Sequence, residues 1–210
     1  MAGTSKSYDA TKIVLGPSDL WLNVGLPAAG ARLAVALNTA SELSPEAVGS
    51  PSAVHLGMTK EGCTFEYKPE VQSFGSDELT APHLSRIISE SCTIKGEFLQ
   101  VFDWSILAKM TVGGTRTSNT STTSGYDQLT MGGLSSISTY PIALIGPDIN
   151  GGGLYWVVQL YKTYNKSGFT FHVTRKDQSS APFEFEGLSV TTRASGDQIG
   201  NWWKSIVAAA

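Results

Sequence analysis

Residues 63–72 read CTFEYKPEVQ and alternate between apolar and polar side chains. The apolar set after Cys63 is Phe65, Tyr67, Pro69 and Val71. The polar set is Thr64, Glu66, Lys68, Glu70 and Gln72. A period of two over this length predicts a β-strand with one half-buried face and one wet face. Pro69 has no amide hydrogen to give to a sheet ladder, so it predicts a sheet edge or a bulge.

The same pattern returns in residues 91–101, SCTIKGEFLQV, where Cys92, Ile94 and Phe98 share one predicted strand face. The opposite face carries Ser91, Thr93, Lys95 and Glu97. Between the two strands lies SFGSDELTAP, residues 73–82, whose glycine and proline predict a connecting loop. The carboxylates and the histidine of residues 65–90 are therefore spread along a hairpin, and we expect no catalytic cluster there.

Residues 102–114, FDWSILAKMTVGG, change to helical spacing. Asp103 is the predicted N-cap, and the Gly113–Gly114 pair is the predicted stop. The residues at helical spacing are Trp104, Leu107, Ala108 and Thr111. The sequence therefore predicts one helix directly after the hairpin.

Residues 113–133 are long, polar and rich in Gly, Ser and Thr. A structureless loop of that length is uncommon in a compact domain unless it has a function or orders on a partner. We therefore predict a long polar loop here. Residues 1–12 are predicted to be a flexible arm, residues 13–203 a single domain, and residues 204–210 a C-terminal tail.

The remaining sequence is strongly β. Residues 19–26 and 31–38 each suggest a strand, and residues 151–165 predict a turn and a long apolar strand. Residues 168–176 and 181–190 alternate, with Phe183 and Phe185 set against Glu184 and Glu186. The sequence therefore predicts a mainly β domain.

The 210 residues are 41% hydrophobic and only 16% charged, with a formal net charge of −3. This is the wrong sign for gripping a phosphate backbone. No run of about 18 apolar residues predicts a membrane span. The start lacks an apolar signal core, so we expect synthesis and retention in a cytoplasm. Cys63 and Cys92 are expected to be free thiols in strands.

Three sequence patterns would indicate an enzyme or a metal site. Glu184 with Glu186, or Glu66 with Glu70, could supply the two carboxylates of a glycoside hydrolase. An alternating strand with a wet face places carboxylates at these positions without any catalysis, however. His55, His83 and His172 have no metal-ligand spacing, and no G-x-S-x-G elbow is present. We therefore expect no enzyme, no cofactor and no metal site.

The aromatic side chains of the long predicted strand suggest one further alternative. They are Tyr155, Trp156, Tyr161 and Tyr164. Such a set could form a sugar-binding platform, although aromatic residues in strands more often belong to a core or an interface.

Two stretches resemble the tail tube (major tail) proteins of tailed bacteriophages. One is TFEYKPEVQSFGSDELTAP followed by RIISESCTIKGEFLQV, and the other is YWVVQLYKTYN followed by GFTFHVTRKDQSSAPFEFEGLSV and SGDQIGNW. The resemblance covers roughly residues 13–203. It implies a β-sandwich or split barrel flanked by one α-helix, with a long loop and an extended N-terminal arm.

The resemblance also implies a function. Such subunits join into rings, which are hexameric in the family, and the rings stack into a tube within the virion. The implied partners are the subunit itself, the tape measure protein, tail terminator and baseplate proteins, and DNA that passes without specific binding. A tail terminator or baseplate hub of the same fold is the alternative role. A membrane is not an implied partner.

Three residue sets follow as hypotheses. The lumen-lining set is Glu66, Lys68, Glu70, Thr93, Lys95 and Glu97. The inter-subunit loop, implied by the resemblance, is Ser76, Asp77, Glu78 and Leu79. The ring-stacking set on the long polar loop is Thr115, Arg116, Asn119 and Tyr126.

Overall fold

The computed structural model of the chain describes residues 18–37, 43–45, 53–74, 84–99, 103–112, 114–133, 135–148, 153–168, 170 and 179–206. Within these residues the protein is mainly β with one helix, as the sequence predicts. The strands are β1 Asp19–Leu22, β2 Val35–Leu37, β3 Leu43–Pro45, β4 Val54–His55, β5 Thr59–Phe74, β6 Leu84–Phe98, β7 Thr115–Asn119, β8 Tyr126–Thr130, β9 Tyr140–Pro147, β10 Tyr155–Asn165, β11 Ala181–Gly187 and β12 Gly200–Lys204. The helix is α1, Trp104–Met110.

Eight of the strands form one antiparallel sheet in the order β4-β1-β9-β10-β11-β6-β5. The eighth strand, β12, pairs with β10 over Trp156–Leu160, while β11 pairs with β10 over Thr163–Asn165. The two strands therefore follow one another along the same edge of β10. Two small sheets, β2–β3 and β7–β8, stand apart from this sheet.

The large sheet is strongly curved. Its two end strands, β4 and β5, are separated in the chain by residues 56–58 alone, and a link of that length spans at most about 15 Å. Val54 of β4 and Phe65 of β5 also pack against the same buried cluster. The sheet therefore wraps around that cluster as an open barrel, without a ladder that closes β4 onto β5. We call the wrapped side the inner face and the opposite side the outer face.

The inner face holds the larger core. Cys92, Ile94 and Phe98 of β6 are buried here, as their alternation predicts. The rest of the cluster comes from the other strands, from α1 and from the link between β4 and β5: Leu20, Leu22, Leu56, Ile106, Leu107, Met110, Ile142, Leu144, Val158, Leu160, Ala181, Phe183 and Phe185. Apolar burial of this extent is the main force that holds the sheet in its curved form.

The outer face has a second core at one end only. Ala143 and Ile145 of β9 pack with Tyr155 and Val157 of β10, and the β2–β3 region covers them with residues such as Val35. Strand β9 carries side chains into both cores, so it reads in sequence as one apolar run without alternation. The sequence prediction did not include this strand for that reason.

The helix forms where the sequence predicts it. The Asp103 carboxylate accepts hydrogen bonds from the amides of Ser105 and Ile106, at 2.9 and 3.4 Å, which satisfies helix N-terminal donors. The buried side chains are Ile106, Leu107 and Met110. The helix thereby covers part of the inner core.

The structure differs from prediction in residues 114–133. They form the β7–β8 hairpin in place of a long irregular loop, with Thr115 opposite Thr130 and Asn119 opposite Tyr126. Leu129 packs against the inner core. Polar composition concealed the hairpin, because both strands leave most of their side chains in water.

Several predicted segments lie outside the described residues. They are the arm at residues 1–12, the loop residues Ser76, Asp77, Glu78 and Leu79, and most of the strand predicted at residues 168–176. Lys204, assigned from sequence to a C-terminal tail, is the last residue of β12 and forms an ion pair with Asp148.

Candidate assembly interface

Register places the predicted lumen-lining residues on the outer face of the sheet. Glu66 lies opposite Thr93, and Lys95 lies opposite Thr64. Directly opposed residues in an antiparallel pair share a face, as do alternate residues along one strand. Glu66, Lys68, Glu70, Thr93, Lys95 and Glu97 therefore form one continuous surface, which we call the polar face.

Strand β11 extends the polar face by one strand. Glu184 lies opposite Lys95 and Glu186 lies opposite Thr93. The alternation of residues 181–187 already indicates that these glutamates share a face. The sequence does not predict that Glu184 and Glu186 join the lumen-lining set, because β11 pairs with a strand some ninety residues earlier in the chain.

The polar face carries both signs of charge in close pairs. Lys95 forms an ion pair with Glu66 at 3.1 Å, Lys60 with Glu97 at 3.5 Å, and Lys166 with Glu186 at 3.1 Å. Partly exposed pairs of this kind contribute little to stability, typically about 0–1 kcal/mol each. Their effect is on the surface potential: three of the carboxylates on this face are neutralised locally.

Glu186 is held in its charged form. Its carboxylate accepts a hydrogen bond from the Tyr164 hydroxyl at 2.9 Å and pairs with Lys166, and these contacts lower its pKa. The general acid of a glycoside hydrolase needs the opposite, a raised pKa that keeps its proton near neutral pH. The environment of Glu186 therefore disfavours that role.

Beyond the polar face, β5 and β6 continue as a two-stranded ribbon. Strand β6 pairs with β11 only over Thr93–Phe98, so among the described residues its segment 84–92 has β5 as its sole ladder neighbour. We call residues 67–74 and 84–92 the ribbon. It extends about 25 Å beyond the sheet, at about 3.4 Å for each residue.

The ribbon exposes apolar side chains, contrary to the half-buried strand that the sequence predicts. Within β5 only the first part of the apolar face, at Phe65, reaches the core; Tyr67 and Val71 project into solvent. Five residues of the outer half are each at least 41% exposed: Val71, Phe74, Leu84, Ile87 and Ile88. Val71 and Ile87 lie on one face of the ribbon, and Phe74 and Leu84 lie on the other. No other element of the described chain covers either face there, so both are exposed.

A bulge divides the ribbon. Glu70 lies opposite Ser89 and Val71 opposite Ile87, so Ile88 has no partner across the ladder. The position next to Pro69 agrees with the edge or bulge that proline predicts, and β5 is indeed an end strand of the sheet. A bulge increases the local twist of a strand pair, which turns the outer half relative to the sheet.

An open cleft of about 560 Å³ lies at the base of the ribbon on the inner face. Phe65, Tyr67, Glu90 and Cys92 form one wall, and residues 195–196 and 198–202 form the other. Trp202, 65% exposed, reaches across to Phe65 with ring centroids 6.4 Å apart. The cleft separates the ribbon from β12, and its walls are mostly apolar.

The predicted ring-stacking residues are exposed on the β7–β8 hairpin. Arg116 donates two hydrogen bonds to Asp127 across the hairpin, at 3.0 and 3.1 Å, in a bidentate pair. Thr115, Asn119 and Tyr126 are likewise on the surface. The hairpin thus presents the predicted set on ordered strands.

The proposed aromatic platform is not formed as one surface. Tyr155 and Tyr161 are buried, at 8% and 2% exposure. Tyr161 is covered by the Arg193 guanidinium, 3.7 Å from its ring centroid. Trp156 packs against the inner core. Core packing accounts for most of the aromatic side chains of β10.

The histidine and cysteine side chains form no cluster of metal ligands within the described part of the chain. His55 pairs with Asp19 at 3.2 Å, while His83 and His172 lie outside the described residues. Cys63 and Cys92 are free thiols. No helix among the described residues is long and apolar enough to cross a membrane.

The described residues form a mainly β protein with one helix, a mixed-charge outer face and a projecting apolar ribbon. Comparison with known protein-family models gives no match to the chain, and comparison with curated protein sequences gives none either.

Proposed function

We propose that the protein is a structural subunit that assembles with copies of itself into rings and stacked rings, forming a tube like those of the bacteriophage tail tube proteins it resembles. The single observation that carries this proposal is the ribbon. It leaves the supporting sheet, exposes apolar side chains and presents a strand segment without a second neighbour in the described chain.

An isolated two-stranded ribbon is marginally stable in water, and exposed apolar patches mark sites of association. The two edges of this ribbon also differ. Within the ribbon the β5 edge carries Lys68 and Pro69, residues that block pairing with another chain, whereas β6 residues 84–92 contain neither lysine nor proline. This asymmetry favours an added strand at the β6 edge.

The polar face supports the second half of the proposal. Lys60, Lys95 and Lys166 are each paired with a glutamate here, which supports a face that has no strong tendency to displace counterions from a phosphate backbone. Lining the tube, this face would hold the tape measure protein and then let DNA pass without binding it. The protein would belong to the virion, with terminator and baseplate proteins at the two ends of the tube.

Electron microscopy of the purified, concentrated protein tests the proposal directly. We expect hollow tubes of uniform width whose length grows with concentration. Discrete rings that never stack would favour a tail terminator, and a protein that stays monomeric at every concentration would contradict self-assembly. Sedimentation velocity on the same samples separates these outcomes quantitatively.

A further inference from the structure

The ribbon and the cleft carry complementary features on two separate surfaces of the described chain. On the outer half of the ribbon, Phe74 lies opposite Leu84 and Gln72 lies opposite Arg86. These four residues share one face, since opposed and alternate residues point the same way. That face therefore presents an exposed apolar pair with one cation beside it.

The cleft has the reverse pattern. Phe65, Trp202 and Ile199 give it apolar walls, and Glu90 is the one charged residue that lines it within the described chain. Arg86 is likewise the one charged residue in the described outer half of the ribbon, residues 71–74 and 84–88. Each of the two surfaces thus combines exposed apolar side chains with a single charge, and the two charges have opposite sign.

We infer that the outer half of one copy's ribbon packs over the cleft of a second copy, with Phe74 and Leu84 against Trp202 and with Arg86 beside Glu90. The inference rests on the proposed function and identifies the contact that would carry it. The contact is head to tail, because the two surfaces differ. Such a contact leaves a free ribbon at one end and a free cleft at the other, so it continues until it closes a ring or forms a filament.

Charge reversal tests the pairing of Arg86 with Glu90. Arg86→Glu places two glutamates at every contact, and Glu90→Arg places two arginines there. We expect each variant alone to raise the concentration for half-maximal assembly by about tenfold or more, since juxtaposed like charges oppose association.

Mixing the two variants provides the decisive result. In an equal mixture, the ribbon of each variant meets a cleft of opposite charge on the other, so we expect assembly to return toward wild type with alternating copies.

Lys162→Glu is the matched control, because Lys162 is an exposed residue of β10 that lines neither surface. The Tyr67 hydroxyl donates a hydrogen bond to Glu90. Glu90→Gln removes the charge but keeps an acceptor for this hydrogen bond, so it shows whether an effect on assembly comes from the lost charge or from the lost hydrogen bond. Circular dichroism confirms the fold of each variant.

The outcomes separate the two proposals. A wild-type protein that never assembles overturns both the proposed function and this contact. Wild-type assembly with both reversals assembling equally well overturns the contact alone. The same conclusion follows if each reversal blocks assembly and the mixture does not recover, because Arg86 and Glu90 then do not meet.

Discussion

The Phe65 ring on β5 meets the Trp202 ring on β12 nearly edge to face, with centroids 6.4 Å apart and planes at 64°. This contact bridges the cleft where the ribbon leaves the sheet. Its neighbour in sequence, Trp203, points to the other side, packing edge-on against Tyr155 in the outer-face core. Two adjacent tryptophans thus have different surroundings.

Trp202→Ala and Trp203→Ala should therefore differ in their effect on stability. Loss of Trp202 removes one aromatic contact from a mostly exposed ring, and we expect the free energy of unfolding to fall by about 1 kcal/mol. Loss of Trp203 removes a large, partly buried side chain that packs against the outer-face core, with an expected fall on the order of 3 kcal/mol. Urea unfolding of both variants measures the difference. Equal losses would mean that Trp202 contributes to the core as much as Trp203 does.

Under the proposed function, the charge of the polar face determines how assembled tubes interact with DNA. Replacing Glu66, Glu70 and Glu97 by lysine changes the chain's formal net charge from −3 to +3, since each replacement adds two units. Two surface ion pairs are lost, at a cost of about 0–1 kcal/mol each, so we expect folding and tube formation to persist. The variant tubes should retain DNA in a salt-dependent manner, and genome ejection should slow.

A filter-binding assay at about 50 mM and about 200 mM salt measures this retention of DNA. The matching glutamine variant is the control for lost negative charge without gained positive charge. Variant tubes that pass DNA as freely as wild type would place these residues away from the lumen.

Under the proposed function, variants of the β7–β8 hairpin test ring stacking separately from folding. Tyr126 is 51% exposed, whereas Leu129 on the same strand packs against the inner core. We expect Tyr126→Ser to shorten tubes without changing the free energy of unfolding by more than about 0.5 kcal/mol. Leu129→Ala should instead destabilise the subunit. Tube lengths measured by electron microscopy check the first variant; unchanged lengths would remove Tyr126 from the stacking contact.

Asp197 predicts an acid-dependent loss of stability. It accepts a hydrogen bond from the Tyr161 hydroxyl and pairs with Arg193 at 3.1 Å, and both contacts lower its pKa in the folded state. The unfolded chain binds the proton more readily, with a pKa of about 3.9. The contribution is therefore complete above that value and is lost as the pH falls through the lower, folded pKa.

Asp197→Asn removes this dependence. The stability gap between wild type and the variant should be largest near neutral pH and should narrow below about pH 4. Denaturant unfolding at several pH values measures the gap. A gap of constant size at every pH would show that the charge of Asp197 contributes nothing.

Both thiols should be slow to react in the folded monomer. Burial, with a smaller contribution from the Asp19 charge, raises the pKa of Cys63 to about 11, and burial likewise raises the pKa of Cys92. Since the thiolate is the reactive form, labelling by a disulfide reagent at neutral pH should be slow until the chain is unfolded. Ser73→Cys, in the exposed ribbon, supplies a fast-reacting control. Rapid labelling of the wild-type monomer would contradict this account.

Much of this architecture follows from local pattern. Period-two alternation identified β5, β6 and β11 and sorted their side chains onto two faces, because strand geometry alone fixes that sorting. Asp103 marked the start of the helix through its capping chemistry. Glu66 lies opposite Thr93 across the β5–β6 hairpin, and this local register places the predicted polar residues of both strands on a common surface.

The tertiary structure decided which faces are covered. Phe65 and Val71 occupy equivalent positions in the alternation, yet Phe65 packs on the core and Val71 lies in water, because β11 and β12 end before the ribbon does. The addition of Glu184 and Glu186 to the polar face, and the opening of the cleft beside Trp202, depend on pairings between segments remote in the chain. Alternation is a property of neighbouring residues, whereas burial depends on what the rest of the chain brings against them.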